Sequence, residues 1–174
     1  PQGTITAAMR GESKIEDVIQ ETHVDFLSFV AGSQPLEDLG HEIYSIEGHE
    51  QILHELLLKL DPAMFDFCVI DSPNQISPIM RNTVVPADLF VVPFESMKTV
   101  KSYANFFDLV LRNRVDGSYQ MLHVLNNIPT KGLRNRILET IDQYDIEPPE
   151  TEVRYCGWLA RVDDYGGSIF EYRP

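Results

Sequence analysis

The sequence predicts an α/β domain built on a mostly parallel sheet with helices on both faces. Three observations predict it. Apolar strand-like runs alternate with segments of helical period. One run, Phe67-Cys68-Val69-Ile70, is continuously apolar, as a strand buried on both faces must be. The 174 residues are 43% hydrophobic and 24% charged, ordinary values for one soluble globular domain.

The elements follow in order. Ser13 to about Thr22 reads as a helix, with Ser13 as N-cap and Glu16 completing a capping box. Val24–Val30 reads as a strand ended by Gly32. After Gly48, the apolar positions Ile52, Leu53, Leu56, Leu57 and Leu60 repeat at helical spacing until Pro62. The run Phe67–Ile70 is expected to be a central strand, with Asp71 at its carboxyl end and Ser72-Pro73 after it. Leu89–Val92 is a second buried strand, stopped by Pro93. A long helix spans roughly Lys98–Val115, with Val100, Tyr103, Ala104, Phe107, Val110 and Leu111 as its buried stripe. Met121–Leu125 is the next strand, ending in Asn126-Asn127. Leu133, Ile137, Leu138, Ile141 and Tyr144 mark a last helix, stopped by Pro148-Pro149. Short strands near Val153 and over Ser168–Tyr172 complete the pattern.

Composition excludes several classes. No apolar run in the 174 residues is long enough to span a bilayer, and no signal peptide is expected. A net charge of −13 opposes contact with nucleic acid unless basic residues gather on one face. Lys131, Arg134 and Arg136 do cluster at one helix start, where a solvated face competes with a small-anion or DNA contact. Two cysteines make neither a disulfide framework nor a metal cage. Cys68 is expected to be a buried, inert thiol, which suits a reducing cytoplasmic compartment. The histidines His23, His41, His49, His54 and His123 show no ligand spacing. Ser72 and Ser168 lack a nucleophile-elbow pattern.

Two positions could carry chemistry. Ligands of open α/β sheets bind outside the carboxyl ends of the strands, where Asp71 is expected. A carboxylate there can organise Mg²⁺ against nucleotide phosphates, usually through water. It can equally cap the turn or helix that follows. Asn126 is also expected at a strand end. Its amide can donate to and accept from a base edge, or it can serve turn chemistry. No G-x-x-x-x-G-K-[ST] loop occurs in the 174 residues, so no row of backbone N–H groups and no signature lysine grip a phosphate.

The ordered set resembles the ParA/Soj/MinD family of deviant-Walker P-loop ATPases. Pro1-Gln2-Gly3 is similar to the end of that family's Asp-Pro-Gln-Gly segment. Phe65-Asp66-Phe67-Cys68-Val69-Ile70-Asp71-Ser72-Pro73 is similar to its Walker-B strand and the turn after it. Asn82 to Pro93 resembles the next helix–strand unit, and Gly166 to Pro174 its last strand. MinD's membrane-binding C-terminal helix is not expected, and Pro-Gln-Gly with the last strand favours the ParA/Soj side. Asn74 stands where the family's switch has its usual second Pro, and the family's Arg-Asn segment is not clear around Tyr155–Leu159.

The resemblance implies that residues 1–174 form one partial nucleotide-binding domain lacking the phosphate-loop strand. It implies a parent protein that binds ATP or ADP with Mg²⁺ and works in chromosome or plasmid partitioning. That parent would form a nucleotide-dependent homodimer, associate non-specifically with DNA, avoid membranes, and hydrolyse ATP slowly when stimulated by a ParB-like partner. Asp71 would organise Mg²⁺, Ser72, Pro73 and Asn74 would form the switch, and Asn126 would meet the base. The alternative is a degenerate, non-catalytic dimerisation or partner-binding module of the same fold. A receiver-like or flavodoxin-like domain is a third reading, though no acidic pair follows the first strand. The chain begins with Pro1 rather than Met, so the protein is expected to be longer, or another chain to fill the gap. Without a phosphate-loop strand, neighbouring apolar strands would lack a pairing partner. The 174 residues alone are expected not to hydrolyse ATP.

Overall fold

Thr4 opens the first helix of the computed structural model, which describes residues 3–33, 36–114 and 117–157. The Thr4 hydroxyl accepts the Ala7 N–H, one of the donors that a helix start leaves unpaired. Helix α1 then runs Ile5–Met9. A 3₁₀ turn at Glu16–Val18 leads into β1 (Ile19–Glu21), which pairs antiparallel with β2 (Ser28–Val30). Helices α2 (Leu36–Ile43), α3 (Ile52–Leu57) and α4 (Pro78–Val84) follow. Next come β3 (Leu89–Phe94), α5 (Met97–Asn113), β4 (Gln120–Ile128), α6 (Lys131–Gln143) and β5 (Thr151–Arg154). The chain divides into two compact units. One comprises Pro1–Asp88 with Asp108–Ser118; the other comprises Leu89–Phe107 with Tyr119–Pro174.

The first unit is held by an apolar cluster that includes Met9, Ile15, Val18, Leu39, Leu53, Leu56 and Ile79. Full burial of such a side chain contributes roughly 1.5–3 kcal/mol. Gly40 of α2 lies against α4. A Cβ there would meet Ile79 Cγ1 at 3.4 Å, an ordinary van der Waals contact.

The second unit holds a parallel sheet in the order β3-β4-β5. Phe94, Leu125 and Ile128 from its strands pack with Val100 of α5 and with Ile137 and Ile141 of α6. Strand β4 shifts register between Asn126 and Ile128. The intervening Asn127 has φ 57°, a left-handed conformation that asparagine tolerates better than most residues.

The helices after Gly48 and over α5 and α6, the strand β3 and the strand near Val153 match the sequence reading, while β4 runs through the expected end at Asn126-Asn127 to Ile128. Several expectations need correction. Ser13–Thr22 is not a helix: Ile19–Glu21 instead pairs with Ser28–Val30, so cross-strand pairing overrides the capping signal. Val24–Val30 is shortened by a turn in which Phe26 has φ 64°. Strand β3 runs through Pro93 to Phe94. Proline survives there because β3 pairs on one side only among the described residues. On α5, Leu109 is buried, while Ala104 and Leu111 face solvent.

The largest correction concerns Phe67–Ile70. The run has no regular secondary structure and pairs with none of the five strands. Phe67 is 88% exposed and Val69 94%. A strand needs a neighbour at hydrogen-bonding distance on each side to be central, and this segment has none among the described residues. Cys68 is accessible as well, against the expectation of a buried thiol. Its sulfur is still desolvated enough to push the thiol pKa up. The expected strand at Ser168–Tyr172, the Gly166 to Pro174 segment, Val115, and Pro1 and Gln2 lie outside the described residues.

Candidate functional site

Asp71-Ser72-Pro73-Asn74 continues the irregular segment towards α4 in the first unit. Asp71, Ser72 and Asn74 are exposed and Pro73 is half-buried. The helix after them is capped without Asp71. Ser77 is the N-cap of α4, its Oγ accepting the Met80 N–H at 3.2 Å, and Pro78 takes the first helical position. The helix-capping alternative for Asp71 therefore falls to Ser77.

Asn126 lies in the second unit. It sits inside β4, opposite Val153 of β5. Turn chemistry at this point belongs to its neighbour Asn127 with its positive φ. The Asn126 side chain is engaged: Nδ2 donates to Glu95 Oε1 at 2.6 Å. Glu95 follows directly on β3, whose Phe94 is in register with Leu125. Sequence reasoning missed Glu95. The available signal was its place one residue beyond the β3 strand end, level with Asn126 across the ladder.

The predicted site residues thus form one contiguous stretch, Asp71 to Asn74, and a separate amide, Asn126, with a carboxylate partner. The basic residues near the start of α6 stay largely solvated. Lys131 and Arg136 are exposed, and Arg134 Nε pairs with Glu152 Oε2 at 2.9 Å. Among the described residues no three His, Cys, Asp or Glu side chains gather as a metal cage. No helix there is long and apolar enough to cross a membrane.

The donors at Asp71 to Asn74 fit Mg²⁺ in one specific way. Mg²⁺ takes hard oxygen ligands and is commonly held by one or two carboxylates plus waters and substrate phosphates. Asp71 offers one accessible carboxylate of that kind, with the Ser72 hydroxyl and the Asn74 amide in the three residues after it.

Comparison with known proteins adds the lineage. The family model described as an AAA domain matches residues 2–113. Among solved structures the chain is similar to McdA from Cyanothece without nucleotide, with a TM-score of 0.80 and 19% identity over 98% of this chain and 71% of that one. It is similar to an ATP complex of a Cyanothece McdA variant, with a TM-score of 0.79 and 18% identity over 97% and 68%. A plasmid partition protein from Borrelia burgdorferi gives 0.72 and 14% identity over 94% and 69%. At these identities the likeness is one of fold. Among curated protein sequences none matches the chain.

Proposed function

The chain belongs to the AAA-domain family of P-loop ATPases of the ParA and MinD type, and from that premise we propose that it is part of a partition ATPase in which Asp71 organises Mg²⁺ and Asn126 meets the nucleotide base. The observation that carries this reading is the accessible Asp71 carboxylate, left uncommitted by the helix that Ser77 caps. The ATP held by a McdA structural neighbour supports a nucleotide as the ligand.

When bound, Mg²⁺ supplies charge neutralisation for the phosphates. Asp71 would hold a metal-bound water through its carboxylate oxygens. Ser72 and Asn74 would offer a hydroxyl and an amide to the terminal phosphate, so that the segment's conformation follows nucleotide state. In the parent protein this would couple ATP binding to homodimer formation and to non-specific DNA association in the cytoplasm. A ParB-like partner would accelerate hydrolysis.

A second reading has its own support. Asn74 replaces a Pro that the family's switch usually has. This favours a non-catalytic dimerisation or docking module. Calorimetric titration of the full-length protein with ATP, with and without Mg²⁺, separates the two. Mg²⁺-dependent binding that Asp71→Ala weakens at least tenfold supports the ATPase reading. Absence of binding under both conditions supports the module and overturns the ATPase.

A further inference from the structure

Strands β1 and β2 are joined by a turn that carries apolar side chains into solvent. The Leu27 N–H donates to the Val24 carbonyl at 3.2 Å, closing a turn with Asp25 and Phe26 at its centre. Thr22 fixes this turn from its base: Oγ1 accepts the Val24 N–H at 3.1 Å and donates to the Leu27 carbonyl at 2.8 Å. Phe26 has φ 64° at the third turn position, which normally falls to Gly or Asn. A phenylalanine there is strained, and its ring gains no burial in return, because Phe26 is wholly exposed.

Leu27 and Phe29 extend the apolar surface. Val30 packs against the core of the first unit, so its neighbour Phe29 faces the other way. Leu27 shares the Phe29 face at a spacing of two, and both are more than half exposed. Single exposed apolar residues are ordinary, but a contiguous group on a rigid, strained turn marks an interaction surface.

The charge around the turn selects what can cover it. Asp25 at the tip and Glu21, Asp17 and Glu16 along the chain leading to it are all exposed. No Lys or Arg occurs between Ile15 and Leu58. Nucleic acid and an anionic membrane surface are therefore repelled. A second copy fits no better: two such tips meeting would set Asp25 against Asp25, and each chain carries −13. A projecting aromatic side chain is complemented by a concave apolar site, and an acidic collar by a cationic rim. We propose that the β1–β2 turn docks a separate folded protein, with Phe26 and Leu27 entering an apolar pocket rimmed by Lys or Arg. The turn supplies none of Asp71, Ser72, Asn74 or Asn126, so the docking role holds whether or not the chain binds nucleotide.

The test uses the full-length protein. Its first probe is β-cyclodextrin with an amino group on every sugar, an apolar cavity with a cationic rim, set against neutral β-cyclodextrin. NMR contacts between host and the Phe26 ring are expected, with the amino host binding roughly fivefold tighter than the neutral one. Asp25→Asn should shrink that difference. Equal binding of the two hosts, or no contact at Phe26, overturns the proposal. Phe26→Gly should abolish the contact and raise the urea midpoint, since glycine accepts the left-handed turn without strain. A lowered midpoint would mean that the ring is packed in the full-length protein, and overturns the proposal as well. The last arm installs a benzophenone-bearing side chain at Phe26 in host cells. Cross-links to apolar residues flanked by Lys or Arg on a different protein, lost with Asp25→Lys, support the docking role. Cross-links between two copies of this chain, to sites without basic neighbours, or none at all overturn it.

Discussion

Leu53 and Asn82 are joined by a hydrogen bond of 3.0 Å, from the Leu53 backbone N–H to Asn82 Oδ1. The same amide's Nδ2 donates to the carbonyls of His49 at 2.8 Å and Pro78 at 3.0 Å. Leu53 lies in the first turn of α3, where N–H groups have no partner within the helix. Asn82 is fully buried, and its bond with the Leu53 N–H is shielded from water. A single side chain therefore satisfies the start of α3, the turn before it and the start of α4.

Asn82→Ala removes all three side-chain bonds and leaves the buried Leu53 N–H without its partner. The expected loss is about 3 kcal/mol, read from the urea unfolding midpoint. Asn82→Asp should cost at least as much, since a carboxylate cannot donate to the two carbonyls and is repelled by them. A loss below about 1 kcal/mol for both variants would rule out this role.

Tyr103 and His123 make a comparable pair in the second unit. His123 Nδ1 faces the Glu147 carbonyl at 2.9 Å, and Nε2 faces the Tyr103 hydroxyl at 3.0 Å. A carbonyl only accepts, so Nδ1 carries the proton and Nε2 accepts from tyrosine. Desolvation raises the Tyr103 pKa, with the charges of Tyr119 and Glu147 adding to it. The unfolded chain therefore ionises first as pH rises. Stability from this group is whole below about pH 10 and is lost above it. Tyr103→Phe should cost about 1–2 kcal/mol near pH 8, because Nε2 loses its donor. The variant should also lose less stability than the native chain between pH 9 and pH 11. Parallel urea titrations across that range check both.

How much of this was legible depends on sequence distance. The helical period at Leu53, Leu56, Ile137 and Ile141 is local, and each lands in a core. Ser13 and Glu16 carried an equally local capping signal, yet Ile19–Glu21 found a partner strand at Ser28–Val30. Asn82 gave no signal because two of its partners, Leu53 and His49, lie about thirty residues back along the chain. Glu95 carried only its place just beyond β3, because its partner Asn126 is reached across a parallel ladder. Asp71 and Asn126 stand out in the sequence for their expected places after apolar runs, although Asn126 lies inside β4. That Ser77 rather than Asp71 caps the following helix depended on where α4 begins, which periodicity does not fix.

Arg114 is buried, and its guanidinium is spent on backbone. Nη1 donates to the carbonyls of Val85, at 2.9 Å, and of Ala87, just beyond the end of α4. Nη2 donates to the Ser118 carbonyl at 2.7 Å and to its hydroxyl at 2.9 Å. Arg114→Met keeps the bulk but leaves several shielded acceptors unpaired, and a loss of about 2–3 kcal/mol is expected. Arg114→Lys should recover less than half of it, because one ammonium cannot span the fork. Thermal unfolding of both variants, with lysine as stable as arginine, would refute the argument.

Phe67 and Val69 sit two residues apart, the spacing that puts side chains on one side of an extended segment, and both face solvent. Ile70 is only partly exposed and packs against the core of the first unit. The outer side of the segment thus offers apolar side chains beside backbone that pairs with no described strand. That combination is a template for pairing with another chain. In the 174-residue chain, Phe67→Lys combined with Val69→Lys should suppress concentration-dependent light scattering and thioflavin T binding. It should shift the urea midpoint by no more than about 0.5 kcal/mol, as for other surface changes. Ile70→Lys should instead destabilise the first unit by about 2 kcal/mol or more, by placing a charge against apolar side chains. If the lysine pair also cost several kcal/mol, Phe67 and Val69 would be buried in solution, and the fully buried strand first inferred from the sequence would be restored.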